Sequence, residues 1–411
     1  MESREMEKET SFGNVLIAQS GGPTMVINQS LVGVVLAAKA SPKVKHVYGA
    51  LHGIQGILDG TLIDLGKESS DTLEKVAVTP SSALGSVRRK PTAEDCAAIL
   101  KIFHARNIKW FFYIGGNDSA ETVKILSEHA AAAQSGVVCF HVPKTIDNDL
   151  RENDHTPGFG SAARFVASAV MGDDLDLRAL GGVKIDIVMG RNAGFLAAAA
   201  ALGRVEPDDG PHLIYLPERP FSPDAFVQDV SNIYKRLGRC VVVVSEGISD
   251  RDGVPYATKF LKEVDSHGNV QLSGSGALGD ALVALLRARA RPRIKRMRAD
   301  TFGYLQRSFP GVASSVDSQE ARAVGKAAFE AAASGQYASG SVAIKRLPGE
   351  TYGVSYEVVP LAKVAKETKS MRDEFITPEG NNVTKAFLDY ARPLIGELPV
   401  KGYLQAIPAD D

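Results

Sequence analysis

The 411-residue chain has almost no excess of charge: 47 lysines and arginines face 48 aspartates and glutamates, a formal net charge of -1. That balance excludes a protein that holds nucleic acid or an acidic membrane through a global basic field, so any basic site must be local. Cysteine is scarce. Cys96, Cys139 and Cys240 are odd in number, far apart and in apolar contexts, which fits buried thiols in a reducing compartment and neither disulfides nor a zinc site. No long apolar run is present: "RCVVVV" is far too short to span a bilayer. The opening "MESREMEKET" carries charge where a secretory signal has its apolar core. The expectation is a soluble cytoplasmic protein with neither nucleic acid nor membrane as partner. The first glycine pair, in "SGGPTMVIN", lacks the full G-x-G-x-x-G fingerprint and the Walker lysine, so a nicotinamide enzyme is not favoured.

What is present is an alternation. Hydrophobic residues make up 44% and charged residues 23% of a length that usually forms two domains. Short apolar runs, "NVLIAQSGG", "KWFFYIGG", "SGVVCFHVP", "KIDIVMG" and "RCVVVVSEG", are interleaved with helical patterns such as "SAETVKILSEHAAAA". This predicts an α/β protein with mostly parallel sheets covered by helices. Ser119 is the expected N-cap of the helix after "KWFFYIGG", with Val123 and Leu126 three apart on its apolar side. "YLPERP" reads as a further short strand and turn, "ALGDALVALLRARARPRIKRMRADTFGYLQRS" as a helix, a basic connection and another short strand, "SQEARAVGKAAFEAAASG" as a helix and "GSVAIKRL" as a late strand. At least five strands end in polar, glycine-containing loops, where open α/β sheets bind ligands.

Six stretches could carry chemistry. Gly21 and Gly22 could cradle a phosphate or merely turn the chain. "GGNDS" offers Gly116 and Ser119 at a helix start, yet places Asp118, an anion, where an anion should bind; a turn with a solvated carboxylate is the plainer alternative. In "PKTIDND", Asp147 and Asp149 lie two apart, so an extended loop can turn both the same way, beside Thr145 and Lys144. Such carboxylates can take a proton from an alcohol or hold Mg²⁺, or form only a solvated turn. Arg191 in "VMGR" suits bidentate phosphate binding. Glu246 in "SEG" could accept sugar hydroxyls, and "RADTFGYLQR" gathers Arg298, Tyr304 and Arg307.

Taken in order, "QSGGPTMVIN", "GGNDS", "PKTIDND", "DHTPGFGSAA", "MGR", "SEG" and "GYLQR" resemble the phosphofructokinase family over most of the chain. The resemblance implies two Rossmann-like α/β domains with the active site in the cleft between them. It also implies transfer of a phosphoryl group to the C1 hydroxyl of fructose 6-phosphate. Position by position, it makes Asp147 the catalytic base, with Thr145 and Ile146 on the same sugar-contacting loop. Met189, Gly190 and Arg191 match the next sugar- and phosphate-contacting motif, and Glu246 the carboxylate that holds sugar hydroxyls. Arg298 and Arg307 match the arginines that grip the 6-phosphate, beside Tyr304, Leu305 and Gln306. One of these arginines usually comes from a neighbouring subunit, with Arg298 as the candidate here, so a homodimer or homotetramer is implied. Gly22, Arg88, Gly116 and Ser119 fall on the donor side, and Mg²⁺ is the expected cofactor, with Asn117 and Asp149 as its ligands.

The resemblance also accounts for Asp118. The ATP-using branch has glycine at the positions of Asp118 and Lys144, leaving room for a nucleotide's α-phosphate. Here an aspartate fills that room and a lysine adds charge beside the transferring phosphates, the pattern of members that use inorganic pyrophosphate. Two like charges about 4 Å apart cost roughly 4 kcal/mol at an effective dielectric near 20. Leu51, near the position of the ATP branch's adenine-stacking tyrosine, offers no aromatic platform. Two departures stand out: Asn117 replaces a frequent aspartate, and Gly182 stands where an arginine is expected, with Lys184 the nearest substitute. The chain is thus expected to be a pyrophosphate-dependent phosphofructokinase, with an ATP-dependent enzyme or a non-catalytic regulatory paralogue as alternatives. A seven-carbon sugar phosphate remains open as acceptor. The expected domains are a donor domain at 11–158 with part of about 306–360, a sugar-phosphate domain at 159–305 with a C-terminal segment, and an extension at 361–411.

Overall fold

The computed structural model describes residues 12–259 and 276–404; the charged opening and the last seven residues of the expected extension lie outside them. In chain order the strands are β1 (Gly13–Gln19), β2 (Val44–Ala50), β3 (Leu62–Asp64), β4 (Ile108–Gly115), β5 (Val138–Pro143), β6 (Gly182–Val188), β7 (Leu213–Tyr215), β8 (Arg239–Ser245), β9 (Met297–Thr301), β10 (Ser339–Arg346) and β11 (Val354–Val359). They sort into two sheets, of order β11-β10-β5-β4-β1-β2-β3 and β7-β8-β6-β9. By contacts the described chain divides into two compact units. One runs to Phe159 and adds Arg307–Ala313 and Asp317–Lys369; the other holds Gly160–Gln306, Ser314–Val316 and the segment from Ser370.

In the first unit, strands β2, β1, β4, β5 and β10 are parallel, with β3 and β11 antiparallel at the edges. Side chains alternate between two cores. Val15, Ile17, Trp110 and Phe112 enter one, while Leu16, Ala18, Phe111 and Tyr113 enter the other. The first core is closed by the helices Ile27–Ala40 and Ser315–Ala333, the second by Ala93–Ala105 and Asn117–Ala132. A sheet covered on both faces needs apolar residues at every position, which is why "NVLIAQ" and "KWFFYI" run without alternation.

In the second unit all four strands are parallel. Val183, Ile185, Ile187, Val242, Val244 and Met297 form one core with the helices Pro223–Leu237 and Ala277–Arg289. The C-terminal segment belongs to this unit, where Ile214 donates its N–H to the Asn381 carbonyl at 2.8 Å. Its helix Lys385–Ile395 buries Phe387, Tyr390, Ala391 and Leu394 on one stripe, and Tyr390 meets Phe195 and Phe375. One expectation needs correction. The helix after β4 begins at Asn117, two residues ahead of Ser119, with Gly116 as its N-cap and no side-chain cap. All three cysteines are buried thiols. No helix among the described residues is long and apolar enough to cross a membrane.

Candidate active site

In the first unit three strand ends supply the residues. After β1 the chain turns at Gly21, whose φ of 75° lies in the region that glycine adopts without strain. Ser86 donates its hydroxyl to the Gly21 carbonyl at 2.6 Å, which holds the segment carrying Arg88 against the turn. After β5, Lys144 donates its N–H to the Gly115 carbonyl at 2.9 Å. Its amine reaches back to donate to the Gly22 carbonyl at 2.6 Å. A Cβ on Gly22 would stand 3.0 Å from the Arg307 guanidinium carbon, so this glycine makes room for an arginine. Lys144 is 3% exposed. Burial, then the charges of Arg307 and Arg88, opposed by Asp147 and Asp149, push its amine from 10.5 down to about 7. The result is a buried lysine beside a half-buried and an exposed arginine at a glycine turn, an arrangement suited to a polyanion.

The loop that follows is tied at both ends. Thr145 takes the Asp147 N–H on its hydroxyl at 3.1 Å, and its carbonyl accepts the Thr156 hydroxyl at 2.8 Å. Asp147 is half-buried and Ile146 buried. Asp149 is 8% exposed; burial first, and the Asp147 charge second, raise its carboxyl above the ordinary range. The two carboxylates therefore feel each other.

At the start of the helix Asn117–Ala132, Ser119 packs under Gly115, leaving no room there for a Cβ. The Asn117 Oδ1 is buried without a hydrogen-bond partner. Asp118 sits in the first helical turn, where the backbone dipole favours an anion. Its side chain is 77% exposed and lies 4.0 Å from Lys90. Solvent therefore screens its charge, and repulsion of a nucleotide falls well below the 4 kcal/mol scale of a half-buried pair. An orphaned amide oxygen and a buried carboxylate, Asp149, are hard oxygen donors that fit Mg²⁺.

In the second unit β6 runs into Met189, Gly190 and Arg191, and β8 into Ser245 and Glu246. The two loops are knitted together: Ser245 donates to the Gly190 carbonyl at 2.6 Å, and the Glu246 N–H to the Val188 carbonyl at 2.8 Å. Gln306 is fully buried and acts as a brace, accepting the Met189 N–H at 3.2 Å and donating to the Gly303 carbonyl at 2.8 Å. Arg298, Tyr304 and Leu305 are exposed. Lys184 contacts Asp173 at 3.2 Å and pairs with Asp300, so its charge is already met by carboxylates. Arg307 falls in the first unit, apart from the rest of its motif.

A family model described as Phosphofructokinase matches residues 14–332. The chain belongs to the phosphofructokinase family. It is 56% identical over 386 residues to a Rhodospirillum rubrum protein named pyrophosphate–fructose 6-phosphate 1-phosphotransferase, covering 93% of this chain and 94% of that one. A Xanthomonas campestris protein of the same name is 41% identical, covering 94% and 93%. The crystal structure of pyrophosphate-dependent phosphofructokinase from Marinobacter aquaeolei superposes with a TM-score of 0.83 at 33% identity, covering 97% and 95%.

Two residues that none of the motifs quoted from the sequence contains stand beside these loops. His141, inside β5, is fully buried and has its Nε2 2.9 Å from the Gly115 carbonyl; burial pushes its imidazole down to about 4, so it is neutral. Lys90 pairs with Glu121 at 2.6 Å and stands beside Asp118. Neither has a sequence signal: a histidine in a buried strand and a lysine in "RRKP" are unremarked in composition or spacing.

Proposed function

We propose that the protein is a pyrophosphate-dependent 6-phosphofructokinase, transferring a phosphoryl group from pyrophosphate to the C1 hydroxyl of fructose 6-phosphate. The products are fructose 1,6-bisphosphate and orthophosphate. The observation that carries the reading is Lys144, whose buried amine stands at the Gly21–Gly22 turn at a position that ATP-using members leave as glycine. The names of the 56% and 41% identical relatives support the same donor and acceptor.

In this mechanism pyrophosphate binds at Gly22 and Gly116, and its charge holds the proton on Lys144 that burial and Arg307 would otherwise expel. Arg88 adds its charge from the neighbouring segment, and Arg307, assigned by resemblance to the 6-phosphate, adds its own from beside Gly22. Asp147 takes the proton of the C1 hydroxyl. The C1 oxygen bonds to the near phosphorus as the bridging P–O bond breaks, and its electron pair leaves on orthophosphate. Mg²⁺ held by Asn117 and Asp149 would neutralise charge on the transferring phosphates. Thr145, Ile146, Met189, Gly190, Arg191 and Glu246 orient the sugar, and Arg298 serves a second copy in a cytoplasmic homodimer or homotetramer. Pyrophosphate and the product ester are close in transfer potential, so the reaction runs in both directions.

The test is ³¹P NMR of the purified protein with fructose 6-phosphate, Mg²⁺ and either pyrophosphate or ATP. Equimolar fructose 1,6-bisphosphate and orthophosphate should form from pyrophosphate. A higher kcat/KM with ATP would select the ATP-dependent alternative, and no turnover with either donor the regulatory one.

A further inference from the structure

Asp186 is out of place in the chemistry of its strand. It lies in β6, flanked by β8 and β9, where a strand covered on both faces is expected to be apolar throughout. Val183, Ile185 and Ile187 obey that rule and enter the core. Asp186 points to the opposite face with Lys184, fully buried, and both of its carboxylate oxygens lack a hydrogen-bond donor. A buried carboxylate without donors must carry a proton or face a cation, because desolvating the bare anion costs too much.

Two further carboxylates converge on it. Asp300 is its register partner on β9, and Asp173 comes from the helix Phe159–Leu180. One oxygen from each of the three lies within 4.8 Å of the other two. Lys184 pairs with Asp173 and Asp300 and has no hydrogen bond to Asp186, so one ammonium serves two of the three carboxyls and leaves Asp186 to be met by a proton or a cation. Oxygens on one cation with bonds of about 2.0–2.6 Å fall within this spread. Asp300 is largely solvent-exposed, which leaves an entry path and room for water ligands.

We propose that Asp173, Asp186 and Asp300 form a binding site for one hard divalent cation, separate from the catalytic Mg²⁺ at Asn117 and Asp149. A cation there takes the place of a proton on Asp186 and pins β6 to β9. β6 ends at Met189–Arg191 and β9 carries Arg298, so occupancy holds the sugar-facing residues of this unit in place. The site stands on the geometry of these residues alone and does not depend on which donor or sugar the enzyme uses.

The experiment titrates Mn²⁺ alone, without pyrophosphate or sugar, into the full chain and counts free ion by electron paramagnetic resonance. The wild type should bind a Mn²⁺ that Asp186→Asn and Asp300→Asn each weaken at least about tenfold and that Asp149→Asn retains, which separates it from any ion held at Asn117 and Asp149. Asp300 is at the surface, so its variant keeps the test valid if Asp186→Asn fails to fold. Mn²⁺ should also raise the thermal midpoint of the wild type and not that of Asp300→Asn. Equal affinity and stoichiometry in wild type and Asp300→Asn, or no bound Mn²⁺ up to millimolar concentration, would overturn the proposal. Either outcome leaves the phosphotransferase reading untouched.

Discussion

The two sets of strand-end loops are built on different terms. In the first unit Lys144, Asp149 and Ser119 are withdrawn from water, and Lys144 is held at both its N–H and its amine. In the second, Met189, Gln306 and Glu246 are buried and braced, but Arg298, Tyr304 and Leu305 stand in solvent. A polyanion site profits from donors fixed in a desolvated setting, because they need little rearrangement when the ligand arrives. An exposed arginine is better suited to reach a ligand or a second chain. The difference teaches that the first unit's loops hold their candidate groups buried and fixed, while the second unit leaves Arg298, Tyr304 and Leu305 of its motif at the surface.

The largest effect should come from the proposed base. Asp147→Asn should fold normally, with unchanged circular dichroism and thermal midpoint, and lose about 10²–10⁴-fold in kcat in both directions. Near-normal turnover would remove Asp147 as the base.

Next comes the surface arginine. Arg298→Ala should raise KM for fructose 6-phosphate by about 10–100-fold, the worth of one or two charged hydrogen bonds, and leave KM for pyrophosphate unchanged. Mixed with Asp147→Asn under conditions of subunit exchange, it should regain activity. Full activity of a monomer verified by light scattering would break the comparison, since Arg298 would then have no second copy to serve.

The buried lysine makes the donor half sensitive to pH. With the Lys144 amine at about 7 in the free protein, pyrophosphate affinity should weaken up to about tenfold per pH unit above that value, because binding must first restore the proton. Lys144→Met should bind weakly and lose this slope. The unfolded chain holds a proton on Lys144 up to about 10.5, so this residue makes the free protein more stable as pH rises from about 7 towards 10.5. Isothermal titration across pH, in wild type and variant, checks the first part; thermal unfolding without ligand checks the second.

The smallest effect belongs to the scaffold. His155 is fully buried; burial disfavours its charge, but hydrogen bonds to Asp154 and Glu320 outweigh this and raise its pKa. The stabilisation from its protonated form is complete below about 6.5, the ordinary value for histidine, and is lost as pH rises through the raised value. His155→Gln should therefore lower the thermal midpoint by more at pH 5.5 than at pH 9. Equal loss at both would remove the charge from the account.

The parallel core of the first unit could be read directly, because strands such as β1 and β4 are apolar without a break. β2 and β3 could not be, since "VKHVYGA" and "LID" are short, partly exposed and mixed in polarity. The helix Lys385–Ile395 was hidden by Pro393 and the Asn-Gly-Pro-rich stretch ahead of it. At the site, glycine turns and "TIDND" were visible because backbone and carboxylate chemistry is local. What joins them is long-range: the contact of Arg307 with Gly22, 285 positions apart in the chain, is made by folding alone. The exposure of Asp118 was likewise invisible, and it shifts weight from charge repulsion to bulk in donor choice.

That choice is the central claim, and it is tested by kcat/KM for pyrophosphate and ATP in wild type, Asp118→Gly, Lys144→Gly and the double variant. The account predicts that wild type uses pyrophosphate with little or no ATP turnover, that Asp118→Gly admits ATP, and that Lys144→Gly mainly lowers kcat with pyrophosphate. The two effects should not simply add, since both residues act on one donor. A wild type that prefers ATP, or an Asp118→Gly variant with unchanged ATP use, would contradict it.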